Sequence, residues 1–240
     1  MDATEVLKTI AQQVAVCEKC ALHFSRKKAV PGEGPANAKI LFIGEGPGFY
    51  ENEQGRPFVG PSGKFLDELL QSAGLKRSEV FIGNVVKCRP PSNRDPLPDE
   101  LAACRPYLEQ QIEAINPQVI VTLGRYSMAH FLPNAKISAI HGKPSWVNGR
   151  LIVPMYHPAA ALHQPALRDA IVADFAGLPK ILSRAFSEKP RAEDHGPVKP
   201  VMPLQPTLDN PRIEEPQEIS PAKKDEEDNS KDKPVQLSLF

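Results

Sequence analysis

The chain has 240 residues, 41% of them apolar, which is enough for one full domain and an appendage. Its formal charge is zero but unevenly spread: residues 188–240 carry 8 Lys+Arg against 12 Asp+Glu, leaving 21 against 17 for residues 1–187. A mildly basic body permits a local nucleic-acid patch without demanding one, no apolar run is long enough to span a bilayer, and the first residues lack the basic start and apolar core of an export signal. The cytosol, which keeps thiols reduced, is the expected compartment.

In chain order, residues 2–16 read as a helix, and Cys17 and Cys20 follow it as a C-x2-C pair. Cys88 and Cys104 are the remaining cysteines, far downstream. Thiols that meet only after folding point to a metal or cluster site rather than to disulfides in such a chain. On ligand count, four thiolates suit zinc and an iron–sulfur cluster equally.

Residues 39–44 (KILFIG) read as a buried strand and residues 62–73 as a helix with Ser62 as N-cap. Residues 79–86 (EVFIGNVV) form a second strand, and residues 99–115 a helix carrying Cys104. A third strand at 118–124, a short helix at 125–131, a fourth strand at 150–155 and a long helix at 165–186 complete the series. Apolar strands alternating with helices predict an α/β fold: a three-layer αβα sandwich around a four-stranded parallel sheet. Ligands on such sheets lie beyond the carboxyl ends of the strands. The loops after Gly44, Asn84, Gly124 and Met155 are therefore the places to look.

The first of these loops opens GEGPG, which lets backbone approach a ligand closely. It matches neither a Walker A loop nor G-x-G-x-x-G, and it places Glu45 at a strand end. Farther on, Phe58 lies between glycines in GRPFVG and offers either core packing or a flat face for stacking. Asn84 is an amide at the end of an apolar strand, where it caps local backbone or reads the edge of a heterocycle. His157, in HPAAAL, stands where a donor could stabilise an oxygen gaining charge, and Leu162 can project from the same loop.

The motifs GEGPG, GRPFVG, NVVKCRPP and HPAAAL, in this order and with the four cysteines, resemble the family 4 uracil-DNA glycosylases. These are the iron–sulfur branch of the uracil-DNA glycosylase superfamily, and the resemblance covers residues 1–186. It implies a [4Fe-4S] cluster held by Cys17, Cys20, Cys88 and Cys104, and hydrolysis of the N-glycosidic bond of deoxyuridine in DNA. It further implies that Phe58 stacks on the base, Asn84 reads its edge and His157 stabilises charge on O2. Glu45 would orient or activate water, with Gly46 backbone lining the pocket. Glu51, or else Tyr50, would crowd the C5 position against thymine, and Leu162 would wedge into the vacated stack. Glu45 stands where family 1 relatives carry aspartate, and residues 91–98 hold no histidine for covalent trapping, so ordinary turnover is expected; a monomer is the expected state. An electron-transfer protein, a zinc-stapled DNA-binding module and a glycosylase for another deaminated base are the competing readings.

Beyond residues 1–187, the proline- and charge-rich residues 188–234 are expected to be a disordered linker. Residues 235–240 end it abruptly with apolar side chains. The final QLSLF resembles the peptide with which bacterial DNA-maintenance proteins bind the replicative sliding clamp, which would make Gln236, Leu237, Leu239 and Phe240 partner-binding residues.

Overall fold

The computed structural model describes residues 2–187. The expectations for residues 188–234 and 235–240 lie outside the described residues. The sheet contains β1 (Ile40–Gly44), β2 (Phe81–Asn84), β3 (Val119–Leu123), β4 (Ser145–Val147) and β5 (Arg150–Met155) in the order β2-β1-β3-β5-β4. The four anticipated strands pair in parallel, and β4 adds an antiparallel edge to β5. The sheet thus has five strands rather than four. The extra one arises from Asn148-Gly149, both at positive φ (49° and 75°), which close a two-residue hairpin whose twist matches its strands.

Alternation along the strands gives the sheet two apolar faces. Phe42, Val121 and Val153 point to the side covered by α3 (Pro61–Ser72) and α8 (Arg168–Ser187), where they meet Leu66, Phe175 and Leu178. Leu41, Ile43, Ile120 and Ile152 point the other way, onto Leu108 and Ile112 of α4 (Pro98–Ile115). This is the three-layer αβα sandwich. Each fully buried Ile, Leu or Phe stabilises it by roughly 1.5–3 kcal/mol. Truncating Phe42, which is completely buried, would cost about 3–5 kcal/mol.

Two helix starts differ from expectation. Helix α3 begins at Pro61, with Gly60 as its N-cap in place of Ser62. Proline suits the first helical position because its missing N–H would have no partner there. The last helix begins at Arg168, because Pro165–Leu167 forms a separate 3-10 turn. Four further helices, α1 (Ala3–Ala15), α2 (Phe49–Gln54), α5 (Arg125–Phe131) and α7 (Pro158–His163), frame the sheet ends, and α6 (Ile137–Ile140) is a single turn. The register sets Gly44 beside Asn84 and Leu123 beside Met155, so the strands end nearly in line. No helix among the described residues is long and apolar enough to cross a membrane.

Candidate active site

A cavity of about 500 Å3 opens beyond the aligned strand ends. Its walls include Glu45, Gly46, Glu51, Phe58, Asn84, His157 and Leu162, so every catalytic and substrate-binding candidate reaches one space. Parallel pairing explains the meeting of residues so far apart in sequence. Glu45 follows β1, Asn84 ends β2 and His157 follows β5.

Asn84 is 1% exposed, and its Oδ1 has no hydrogen-bond partner among the described residues. Leaving such an acceptor buried and unpaired costs about 1–3 kcal/mol. Of the three buried polar atoms without a partner among the described residues, only this one belongs to a residue lining the cavity. The oxygen is positioned by Gly44, since a Cβ there would stand 2.5 Å from Oδ1 and 2.6 Å from Phe58 Cζ.

Phe58 is held from behind. Its φ of 50° is left-handed, and its backbone packs so tightly on Gly63 that a Cβ there would lie 2.1 Å from its carbonyl carbon. Arg77 donates to the Phe58 carbonyl at 3.1 Å and also binds the Pro57 carbonyl. The Phe58 ring lies nearly parallel to that of His157, with centroids 5.4 Å apart.

His157 Nδ1 accepts the Ala159 main-chain N–H at 3.1 Å. Burial pulls the imidazole down to about 4, against a weaker upward pull from the Glu51 charge. The ring is therefore neutral near pH 7, and the bond at Nδ1 assigns its proton to Nε2.

Glu51 is 7% exposed, and its carboxylate is fully engaged by backbone. Oε2 accepts the Gly48 N–H at 3.1 Å, and Oε1 accepts those of Val59 and Gly60 at 2.8 Å each. The residue thus pins the start of α2 to the loop carrying Phe58 and stands as a fixed wall. Tyr50, beside it on α2, is half exposed at the cavity mouth with Phe49 and Leu162.

Burial raises the Glu45 carboxyl to about 7, helped by Asp95 and opposed by Arg125. Arg125 and Asp95 form an ion pair that joins α5 to the loop before α4. That loop is anchored by Arg94, which grips the buried Glu100 carboxylate at 2.6 and 2.9 Å.

The four cysteines line a second, small cavity behind the end of β2, with Arg26, Lys87 and Tyr107. Cys88 and Cys104 are buried there beside Ile10 and Val14 of α1. Burial pushes Cys104 up to about 11 and raises Cys88 and Cys20. For Cys88 the Arg26 guanidinium beside it pulls the other way, without offsetting burial. Two sulfurs already receive donors: Lys87 N–H reaches Cys104 Sγ at 3.2 Å, and Arg26 Nη1 reaches Cys88 Sγ at 3.5 Å. Converging buried thiols with N–H groups aimed at them suit thiolate ligands. No group of three or more His, Cys, Asp or Glu among the described residues is arranged to hold a single metal ion. A multinuclear cluster makes a different demand, because it spreads its thiolates over several irons.

The family model of the uracil DNA glycosylase superfamily matches residues 31–176. The chain belongs to that superfamily, in its type-4 branch. It is 46% identical over 203 residues to a type-4 uracil-DNA glycosylase of Saccharolobus solfataricus, covering 79% of this chain and 90% of the relative. A type-4 uracil-DNA glycosylase of Thermotoga maritima is 45% identical over 161 residues, covering 66% of this chain and 84% of its own length. A type-5 uracil-DNA glycosylase of Thermus thermophilus is 37% identical over 123 residues, covering 43% and 56%.

Sequence reasoning within this superfamily missed three supports of the site: the Ala159 N–H that sets the His157 proton, the Asp95–Arg125 pair near Glu45, and buried Lys87. Only Lys87 left a signal, as a charge inside the apolar run NVVKC.

Proposed function

We propose that this protein excises uracil from DNA by hydrolysing the N-glycosidic bond, leaving an abasic site for base excision repair. The unpartnered Oδ1 of Asn84 in the cavity wall carries the reading. Uracil offers N3–H to that oxygen and O4 to the amide NH2. Cytosine presents the opposite pattern, an acceptor at N3 and a donor at C4, so it would face like against like.

The base enters the cavity by flipping, which costs a few kcal/mol of stacking and pairing. Phe58 supplies a flat apolar wall, and Glu51 a rigid one that leaves no give for a C5 methyl. As the C1′–N1 bond breaks, its electron pair leaves on the base, and His157 Nε2–H donates to the O2 that gains charge. A neutral donor preorganised in this way stabilises an anion without reorganising at the moment of reaction. Water then adds to C1′ and passes a proton to the Glu45 carboxylate, whose value near 7 suits a base at neutral pH. Leu162, at the mouth and half exposed, fills the gap left in the stack.

The four cysteines would hold a [4Fe-4S] cluster that ties the chain after α1 to β2 and α4. We take the enzyme to act as a monomer in the cytosol, where reduced thiols can hold such a cluster. The terminal QLSLF would tether the enzyme to the bacterial sliding clamp, and deleting it should abolish clamp binding while sparing activity on short oligonucleotides. Unchanged clamp affinity after the deletion would reject the tether.

The deciding experiment is release of free uracil from an oligonucleotide containing one deoxyuridine. The parent should release it and Asn84→Ala should lose most of the rate. No release by cluster-loaded parent from U·G, U·A or single-stranded substrate would overturn the reading.

A further inference from the structure

We propose that Lys87 is a positioning residue that fixes the base-reading end of β2 against the cysteine-lined cavity; this rests on the uracil-excision reading above. The segment from Asn84 to Cys88 has one end in each cavity. Lys87 lies between them with its side chain folded inward and only 1% exposed. Its ammonium donates to the Asn84 main-chain carbonyl at 2.8 Å and to Gln111 Oε1 at 2.6 Å.

Gln111, itself 2% exposed on α4, passes the linkage on by donating to the Pro31 carbonyl at 2.7 Å. The Lys87 backbone is used as well. Its N–H reaches Cys104 Sγ at 3.2 Å, and its carbonyl accepts the Val30 N–H at 2.7 Å. One residue therefore joins the base-reading strand, the helix carrying Cys104 and the segment at 30–31. A lysine is almost never fully buried without partners, because its charge must be compensated. Here the partners are the carbonyl of the residue that reads the base and the amide that braces α4. Without the ammonium, that carbonyl loses its side-chain donor, and the Asn84 amide is free to drift from the plane of the base.

The test uses the full chain carrying its cluster, as parent, Lys87→Met and Gln111→Leu. Four quantities are read: iron per chain, KM for the oligonucleotide, single-turnover excision rate, and inhibition by free uracil. A misplaced recognition group slows chemistry steeply. In Lys87→Met the excision rate should therefore fall about tenfold or more. Inhibition by free uracil should weaken in parallel, while iron content and KM stay within about twofold of the parent.

Gln111→Leu, which keeps the lysine but removes its brace, should show the same pattern more weakly, and it carries the test alone should Lys87→Met not fold. Unchanged rate and uracil inhibition in folded, iron-replete variants would overturn the proposal. So would a loss of rate that merely follows loss of iron, since that assigns Lys87 to the cysteine site alone. Failure of the parent itself to release uracil would instead reject the underlying reading.

Discussion

The main-chain N–H of Ala159 donates to Nδ1 of His157 at 3.1 Å, and this bond decides which ring nitrogen carries the proton. With Nδ1 occupied as an acceptor, the neutral ring must present Nε2–H. His157→Gln keeps a donor but loses the fixed geometry, and His157→Ala loses the donor. Excision by His157→Ala should fall by roughly 100-fold or more, as for other losses of an oxyanion donor. Single-turnover kinetics with unchanged DNA affinity would check this.

The same histidine shapes acid stability. Its value is pulled from 6.5 to about 4 by burial, and that of half-buried His130 is pulled equally low. A group whose folded value is depressed contributes fully above its unfolded value and loses that contribution as pH falls through the folded one. The melting temperature should therefore decline between pH 6.5 and 4. His157→Gln should flatten part of that decline, and an unchanged slope would show that His157 stays neutral for no stability reason.

Glu45 behaves in the opposite sense. Its folded value of about 7 lies above the ordinary 4.5, so the fold favours the protonated acid and loses stability as pH rises from 4.5 to 7. Glu45→Gln should stabilise the protein at pH 8, by about 1 kcal/mol after allowance for solvent screening. If the ionised carboxylate takes the proton from water, the excision rate should rise about tenfold per pH unit below 7 and level off above it. Asp95→Asn should move the bend to lower pH and Arg125→Met to higher pH. A bend that ignores both changes would remove Glu45 as its source.

Much of the site was legible because parallel strands end together. Gly44, Asn84 and His157 each close or follow an apolar run, and that alone placed them at one rim. What was not legible depends on contacts between loops. The resemblance puts Glu51 in the pocket, but not the Val59 and Gly60 N–H groups that hold its carboxylate there. Lys87 stands out as a charge inside an apolar run, but its partner Gln111, 24 residues later, is found only in the fold. The β4 edge was missed for a local reason: its three residues are too few to show alternation, although Asn148-Gly149 announced the turn.

The cysteine cavity predicts a coupled loss. Cys104 and Cys88 are buried among Ile10, Val14 and Tyr107, and burial raises both thiols when no metal holds them. Metal binding to such a site releases protons and contributes folding free energy directly. Cys104→Ser should therefore lower iron content and melting temperature together, and prolonged chelation of the parent should do the same. A variant that loses iron but melts with the parent would show that the metal adds nothing to the fold.

Gly63 gives the sharpest packing prediction. A Cβ at this position would lie 2.1 Å from both the carbonyl carbon and the oxygen of Phe58, atoms of backbone that cannot swing aside like a side-chain tip. Arg77 and the left-handed φ of 50° already hold that backbone in place. Gly63→Ala must push α3 and the Phe58 loop apart, an overpacking that costs about 1–3 kcal/mol. The displaced ring would also leave its place beside His157, so excision should fall with stability. Gly177→Ala is the control, because a Cβ there meets nothing within 4 Å among the described residues and the residue lies inside α8. That variant should match or exceed the parent in melting temperature, since alanine is the better helix former. Equal behaviour of the two variants would mean that the loop carrying Phe58 yields freely, and that the ring is placed by the base it receives rather than in advance of it.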